Sequence, residues 1–301
     1  MSSSMTEQAD PSANLLQWPK NDRRRFLHAV IKVCNLDQAI RFYTEGLGMK
    51  LLRTRDFPEE KYTHAFVGFG TEESNFALQL IYDYGAEGYD IQNGFGHFAI
   101  ATQDFSKLLE NVVAKGGVVI REPDTLLGDK SLVVFFKDPE TLTFKLIQTD
   151  SIREPFCNVM LRVANLNRSI TFYEKALGMK VLRKIENRRL KYDTVMLGYG
   201  DEDETTVLEL HYLYGVTEYY QGKRYVQLAL STEDVFKSAE VVSLVVQDLG
   251  GKVVQEPGPI PGLDTKVTCF EDPDGWKIVL VDNEDFLKEL QIKGVEKLSL
   301  S

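Results

Sequence analysis

One segment of this chain is written twice. NLDQAIRFYTEGLGMKLL, starting at Asn35, returns as NLNRSITFYEKALGMKVL, starting at Asn165, with no gap between the two registers. Two stretches with the same apolar spacing and the same breakers face the same packing problem, so they fold the same way. The correspondence continues with KYTHAFVGFG from Lys61 and KYDTVMLGYG from Lys191, then YDYGAEGYD from Tyr82 and YLYGVTEYY from Tyr212. VVIREP from Val118 matches KVVQEP from Lys252, and LVVFFKDPE from Leu132 matches VTCFEDPDG from Val267, after the second copy gains about four residues. An offset near 130 residues lies far outside the roughly 20 to 50 of solenoid repeats. The reading is a duplicated globular domain.

Each copy resolves into the same elements. An apolar strand (27–33; 159–163) runs into Asn35 or Asn165, both good N-cap residues. Ile40, Tyr43 and Leu47 follow at helical spacing, and Gly48 stops the helix. Strands are predicted over 50–54, 64–68 and 77–82. The pattern then repeats, with a strand over 97–101, a helix over 105–115 stopped by Gly116 and Gly117, and strands near Val118, Leu132 and Phe144. Each copy is therefore βαβββ followed by βαβββ, and the chain is an α+β protein of four such modules.

Composition limits the function classes. A length of 301 residues with 43% hydrophobic content supplies two cores of ordinary size. The predicted organisation is a disordered lead over 1–23, domains over 24–150 and 154–288, and a tail over 289–301 whose FLKELQIKGVEKL segment has helical spacing. No apolar run reaches the roughly 20 residues that span a bilayer, and the polar, acid-bearing N-terminus resembles neither a signal nor a transit peptide. A cytoplasmic monomer is expected. The net charge of −10 argues against nucleic acid or an anionic membrane as the main partner, and Arg23 to Arg25 read as a solvated domain edge. Cys34, Cys157 and Cys269 share no CxxC spacing and read as packed, reduced thiols.

FYTEGLGMKLLR, KYTHAFVGFG, YDYG, GFGHFAIA and DPDGWK resemble the two-domain plant-type glyoxalase I (lactoylglutathione lyase) family of the vicinal oxygen chelate superfamily, from about Phe26 to Leu290. The resemblance implies tandem domains whose curved mixed sheets enclose a cavity. It also implies a chemistry in which a divalent metal, nickel or zinc, holds the enediolate of a glutathione hemithioacetal while a ligating glutamate moves the proton. The family's four slots carry His, Glu, His and Glu. Here the first copy has His28, Gln79, His97 and Lys145, and the second has Asn158, Glu209, Gln227 and Val279. If modules pair within a copy, one cavity holds the first four. If they pair across copies, one holds Asn158, Glu209, His97 and Lys145, and the other His28, Gln79, Gln227 and Val279. Neither arrangement restores two carboxylates.

An ammonium about 4 Å from a divalent ion costs on the order of 8 kcal/mol at an effective dielectric of 20. A metal at Lys145 is therefore weakened or lost, and Lys145 is either a desolvated base or a decayed slot whose side chain reaches solvent. His97, Lys145 and Glu209 are the expected acid, base or polarising groups, with His28 and Gln79 in the alternative cavity. Any retained metal would use His28, Gln79, His97 or Glu209. Glu209 and His211 share one strand face as a relay or weak metal pair, and His64 reads as structural or exposed.

The family's glutathione anchors, an arginine, an asparagine and a lysine, correspond to Lys32, Asp83 and Leu127 in the first copy and to Arg162 and Leu213 in the second. Replacing a charge-assisted contact by leucine weakens an anionic ligand and favours an apolar one, so glutathione is not expected. The resemblance is nearest to a specialised, glutathione-independent branch that acts in gossypol-type sesquiterpenoid biosynthesis. The expected activity is enolisation, tautomerisation or aromatisation of an apolar hydroxy-ketone. A metal-dependent lactoylglutathione lyase with altered ligands and a silent ligand-binding module are the alternatives.

Overall fold

The computed structural model describes residues 14–125, 131–260 and 263–291. The first copy contains α1 (Trp18–Asn21), β1 (Phe26–Lys32), α2 (Leu36–Arg41), β2 (Lys50–Phe57), β3 (Tyr62–Gly68) and β4 (Ala77–Asp83). It continues with β5 (Phe95–Thr102), α3 (Phe105–Ala114), β6 (Val118–Thr125), β7 (Leu132–Lys137) and β8 (Thr143–Gln148). The second copy repeats this as β9 (Phe156–Arg162), α4 (Leu166–Leu177), β10 (Lys180–Asn187), β11 (Tyr192–Gly198) and β12 (Val207–Leu213). It ends with β13 (Tyr225–Thr232), α5 (Val235–Leu249), β14 (Lys252–Pro259), β15 (Lys266–Glu271), β16 (Lys277–Asp282) and α6 (Asn283–Gln291).

The repeated helices start as their sequences dictate. The side chains of Asn35 and Asn165 accept hydrogen bonds from Gln38 N and Arg168 N, and Asp104 and Asp234 cap α3 and α5 in the same way. Helix α4 ends on Gly178 at φ 67°, where a Cβ would stand 2.1 Å from the Pro19 carbonyl oxygen, so only glycine fits. Its counterpart α2 passes into a π-helical turn, Phe42–Gly46, which helical spacing did not predict. Gly46 stands where α4 has Ala176, and glycine is the weaker helix former by about 1 kcal/mol.

The two sheets interlock the copies. One runs β2-β3-β4-β1-β13-β16-β15-β14 and the other β10-β11-β12-β9-β5-β8-β7-β6. Each sheet therefore joins one module from each copy, through antiparallel β1–β13 and β5–β9 pairs, and neither closes into a barrel. Phe98, Phe144, Phe156, Tyr225 and Trp276 belong to one core that spans both sheets.

Carboxylates at the first copy's DP turn tie the copies further. Asp138 accepts from Tyr43 Oη, and Glu140 accepts from the backbone N–H groups of Cys34 and Asn35. Arg224, 1% exposed, donates to both carboxylates across the copy boundary. Removing one member of a buried charge network leaves the rest uncompensated, at a cost of about 3 to 5 kcal/mol. Arg224→Met should lower the stability measured by urea unfolding by about that amount. An unchanged midpoint would mean that the carboxylates find water instead.

Three sequence expectations change. The lead is not disordered up to residue 23, because α1 packs on α4 and α5 and Trp18 Nε1 donates to Ser238 Oγ; residues 1–13 of that expectation lie outside the described ones. Arg24 is not at a solvated edge. Its guanidinium is buried against Asp22, the Ala176 carbonyl and Ser238, and the acid two residues earlier supplies the charge that makes burial tolerable. The expected tail begins inside α6, whose Phe286 and Leu290 pack on Leu27, Ala229, Val279 and Val281. Among the described residues no helix is long and apolar enough to cross a membrane.

Candidate active site

Cross-copy pairing decides which slots meet. On the β12-β9-β5-β8 face, Val207, Asn158, Ala99 and Lys145 stand in register, and the next row carries Glu209, Met160 and His97. Strand alternation puts these side chains on one face. His97, Lys145, Asn158 and Glu209 are all buried, at 5 to 8% exposure. Lys145 and Asn158 line a 290 Å³ cavity with Cys157, Met196, Ile147 and Val207.

His97 Nε2 and Glu209 Oε2 face each other at 3.6 Å. Both atoms, and Asn158 Oδ1, are buried without a hydrogen-bond partner among the described residues. Burial first, and then the positive charge of Lys145, pushes the His97 imidazolium well below its usual range. Burial raises the Glu209 carboxyl, and Lys145 opposes that rise. The pair is therefore a neutral imidazole beside a carboxyl group rather than an ion pair. Phe135 packs edge-on against the His97 ring at 5.5 Å. Sequence reasoning missed Phe135, Met160 and Met196, because nothing but long-range register brings their apolar surfaces to the polar slots.

The donor set fits a divalent metal poorly. His97 and Glu209 supply two good ligands and Asn158 a weak one, while the cation of Lys145 occupies the slot of the family's second carboxylate. Among the described residues no group of three or more His, Cys, Asp or Glu side chains is placed to hold a metal ion.

The second face is covered. His28, Gln79, Gln227 and Val279 share it, and Phe286 of α6 reaches the His28 ring at 6.5 Å. Arg53 stacks 3.9 Å from the Phe66 centroid and pairs with Glu72 and with Glu289 of α6. His64 is not exposed: it is buried, and its Nδ1 lies 3.1 Å from Gln79 Nε2. Burial, reinforced by Arg53, pushes His28 down to about 3 and His64 to about 4. The helical spacing of FLKEL was the one sequence signal for this cover.

The remaining expected residues divide. His211 has a partner of its own on the neighbouring strand. Its Nδ1 bonds Thr194 Oγ1 at 2.9 Å and its ring lies on Tyr192, whereas Glu209 turns to His97. The Lys32 ammonium and the Asp83 carboxylate pair with each other at 2.5 Å. Arg162 Nη1 donates to the Asn93 and Phe95 carbonyls. Leu213 ends β12, and Leu127 lies outside the described residues. All three cysteines are free, with Cys269 buried and Cys34 and Cys157 half-buried.

Known proteins resemble this chain in sequence and fold. The profile of the Glyoxalase/Bleomycin resistance protein/Dioxygenase superfamily matches residues 25–146 and 157–280. A lactoylglutathione lyase of Arabidopsis thaliana is 60% identical over 280 residues, covering 93% of this chain and 99% of the relative. A second Arabidopsis thaliana protein, named a probable chloroplastic lactoylglutathione lyase, is 54% identical over 94% of this chain and 80% of its own length. Its name differs from the cytoplasmic expectation. The crystal structure of glyoxalase I from Zea mays superposes with a TM-score of 0.90 at 57% identity, covering 93% of this chain and all of that one.

Proposed function

Because the chain belongs to the Glyoxalase/Bleomycin resistance protein/Dioxygenase superfamily, and within it to the plant-type glyoxalase I family, we propose that it is a proton-transferring enzyme of that family that works without glutathione. Its substrate is an apolar hydroxy-ketone such as a cyclic sesquiterpenoid intermediate. The observation that carries this reading is the cation of Lys145 in a carboxylate slot, beside a neutral His97 and a buried Glu209. Lys145 holds the substrate carbonyl and stabilises the oxyanion that forms on it. Ionised Glu209 takes the proton from the carbon next to that carbonyl, so the C–H pair becomes the enolate. His97 Nε2, 3.6 Å from Glu209, passes the proton to oxygen or to another carbon, which gives an isomer, aromatic where the ring is already sufficiently unsaturated. Low local dielectric strengthens each of these contacts. The anchor slots support the same reading, since Lys32, Asp83 and Arg162 are engaged internally and Leu213 offers no charge.

A second reading, lactoylglutathione lyase, is favoured by the names of full-length relatives at 54 and 60% identity. Turnover separates the two. We expect the chain to isomerise an apolar cyclic hydroxy-ketone without glutathione, and Glu209→Gln or Lys145→Ala to reduce that rate by roughly 10² to 10⁴. Efficient conversion of the methylglyoxal–glutathione hemithioacetal would establish the second reading instead. Ligand binding with no turnover of either compound would leave a silent binding module.

A further inference from the structure

The duplication supplies an internal control for its own surface. The β2–β3 turn reads TRDFPEEK over 54–61 and carries a net charge of −1, whereas the β10–β11 turn, in the same register, reads KIENRRLK over 184–191 and carries +3. The substitutions change polarity as well as charge. Glu60 becomes Leu190 and Arg55 becomes Ile185, and both aliphatic side chains are exposed, Leu190 at 55%. Pro58 and Glu59 become Arg188 and Arg189.

The turn is well held. Leu190 N donates to Asn187 Oδ1, Asn187 Nδ2 donates to Tyr192 Oη, and Lys191 sits at φ 57°. Arg188 leans 3.6 Å from Glu186 but keeps 86% of its side chain in solvent. Strand β10 is a sheet edge, so one side of the hairpin has no neighbouring strand. Beside the turn Tyr214, also exposed, donates to Asp193, the one acid next to the basic run on this strand.

We infer that the β10–β11 hairpin is a docking element for an anionic lipid surface. An exposed aliphatic residue flanked in the turn by Arg188, Arg189 and Lys191, with Lys184 further down β10, matches the layering of such a surface, with phosphates outside and acyl chains beneath. A phosphate track of nucleic acid needs basic residues spread along a groove, and a single tight turn offers none. The chain's charge of −10 does not cancel the attraction, because charges more than about 8 Å from the contact are screened at physiological ionic strength.

Flotation of the full chain with vesicles tests this. It should float with equimolar phosphatidylcholine and phosphatidylserine, stay down with phosphatidylcholine alone, and be released by high salt. Arg188→Glu with Arg189→Glu should weaken binding at least a hundredfold, on a scale of roughly fivefold per charge, and Leu190→Gln should weaken it at unchanged charge. Failure to float with the serine lipid, or equal flotation of the arginine variant, would overturn the inference. Retention on a polyglutamate matrix without vesicle binding would overturn it too, and would identify an acidic protein partner.

Discussion

A Lys145→Glu variant is expected to purify with close to one equivalent of nickel or zinc, while the parent chain holds far less. The geometry has three of the parts already: His97 and Glu209 facing at 3.6 Å, and Asn158 Oδ1 buried without a partner. The fourth position decides the matter through charge. A unit charge about 4 Å from a divalent ion contributes on the order of 8 kcal/mol at an effective dielectric of 20, so reversing its sign swings the balance by about twice that. Relaxation and desolvation of the new carboxylate consume much of this. A remainder of about 3 kcal/mol would still shift affinity by more than a hundredfold. Metal content after dialysis reads the outcome, and the variant should also melt higher when nickel is present. Gln79→Glu is the matched control, because it adds one carboxylate to a face that has Val279 in the corresponding slot and α6 over it. Equal metal content in parent and Lys145→Glu chains would sink the account of Lys145 as the residue that excludes the ion.

That experiment also marks how far the sequence alone reaches. The repeat made the four βαβββ modules legible, and the family pattern located the eight slots, since both are local properties of strands and turns. The pairing of slots was not legible. His97 meets Glu209 because β5 pairs with β9, and the apolar strands of either copy satisfy the same pattern whichever partner they take. Arg24 was misread because its partner Ser238 and the Ala176 carbonyl come from the far copy. The cover of α6 over His28 was half-legible: helical spacing announced a helix, but the ion pair of Glu289 with Arg53 that docks it spans most of the chain. In each case the missing information is long-range contact.

The largest effect on the whole molecule should be acid lability between about pH 6.5 and 5. All four histidines of the chain are held as neutral bases: His28 is pushed to about 3, His64 and His211 to about 4, and His97 well below its usual range, with burial the first cause in each. In the unfolded chain each titrates near 6.5. Below that value the unfolded state binds a proton that the folded state refuses, so stability is full above the unfolded pKa and falls as the pH drops toward the folded one. Asp272 works in the opposite sense. Burial, and then Asp274, raises it to about 7, so the folded state keeps a proton that the unfolded state loses above about 4. The difference near pH 5 is up to about three protons, or roughly 4 kcal/mol per pH unit. Buried carboxyls with raised pKa, among them Glu72, Glu154 and Asp138, soften the slope toward the bottom of the window. Against a domain stability of about 5 to 15 kcal/mol, even half that slope removes about 3 kcal/mol between pH 6.5 and 5. Urea unfolding at several pH values measures it directly, and His28→Gln should reduce the slope by about 1.4 kcal/mol per pH unit. A stability that stays flat from pH 6.5 to 5 would mean that the histidines are protonated in the folded chain, and the neutral His97 on which the proposed proton transfer depends would go with it.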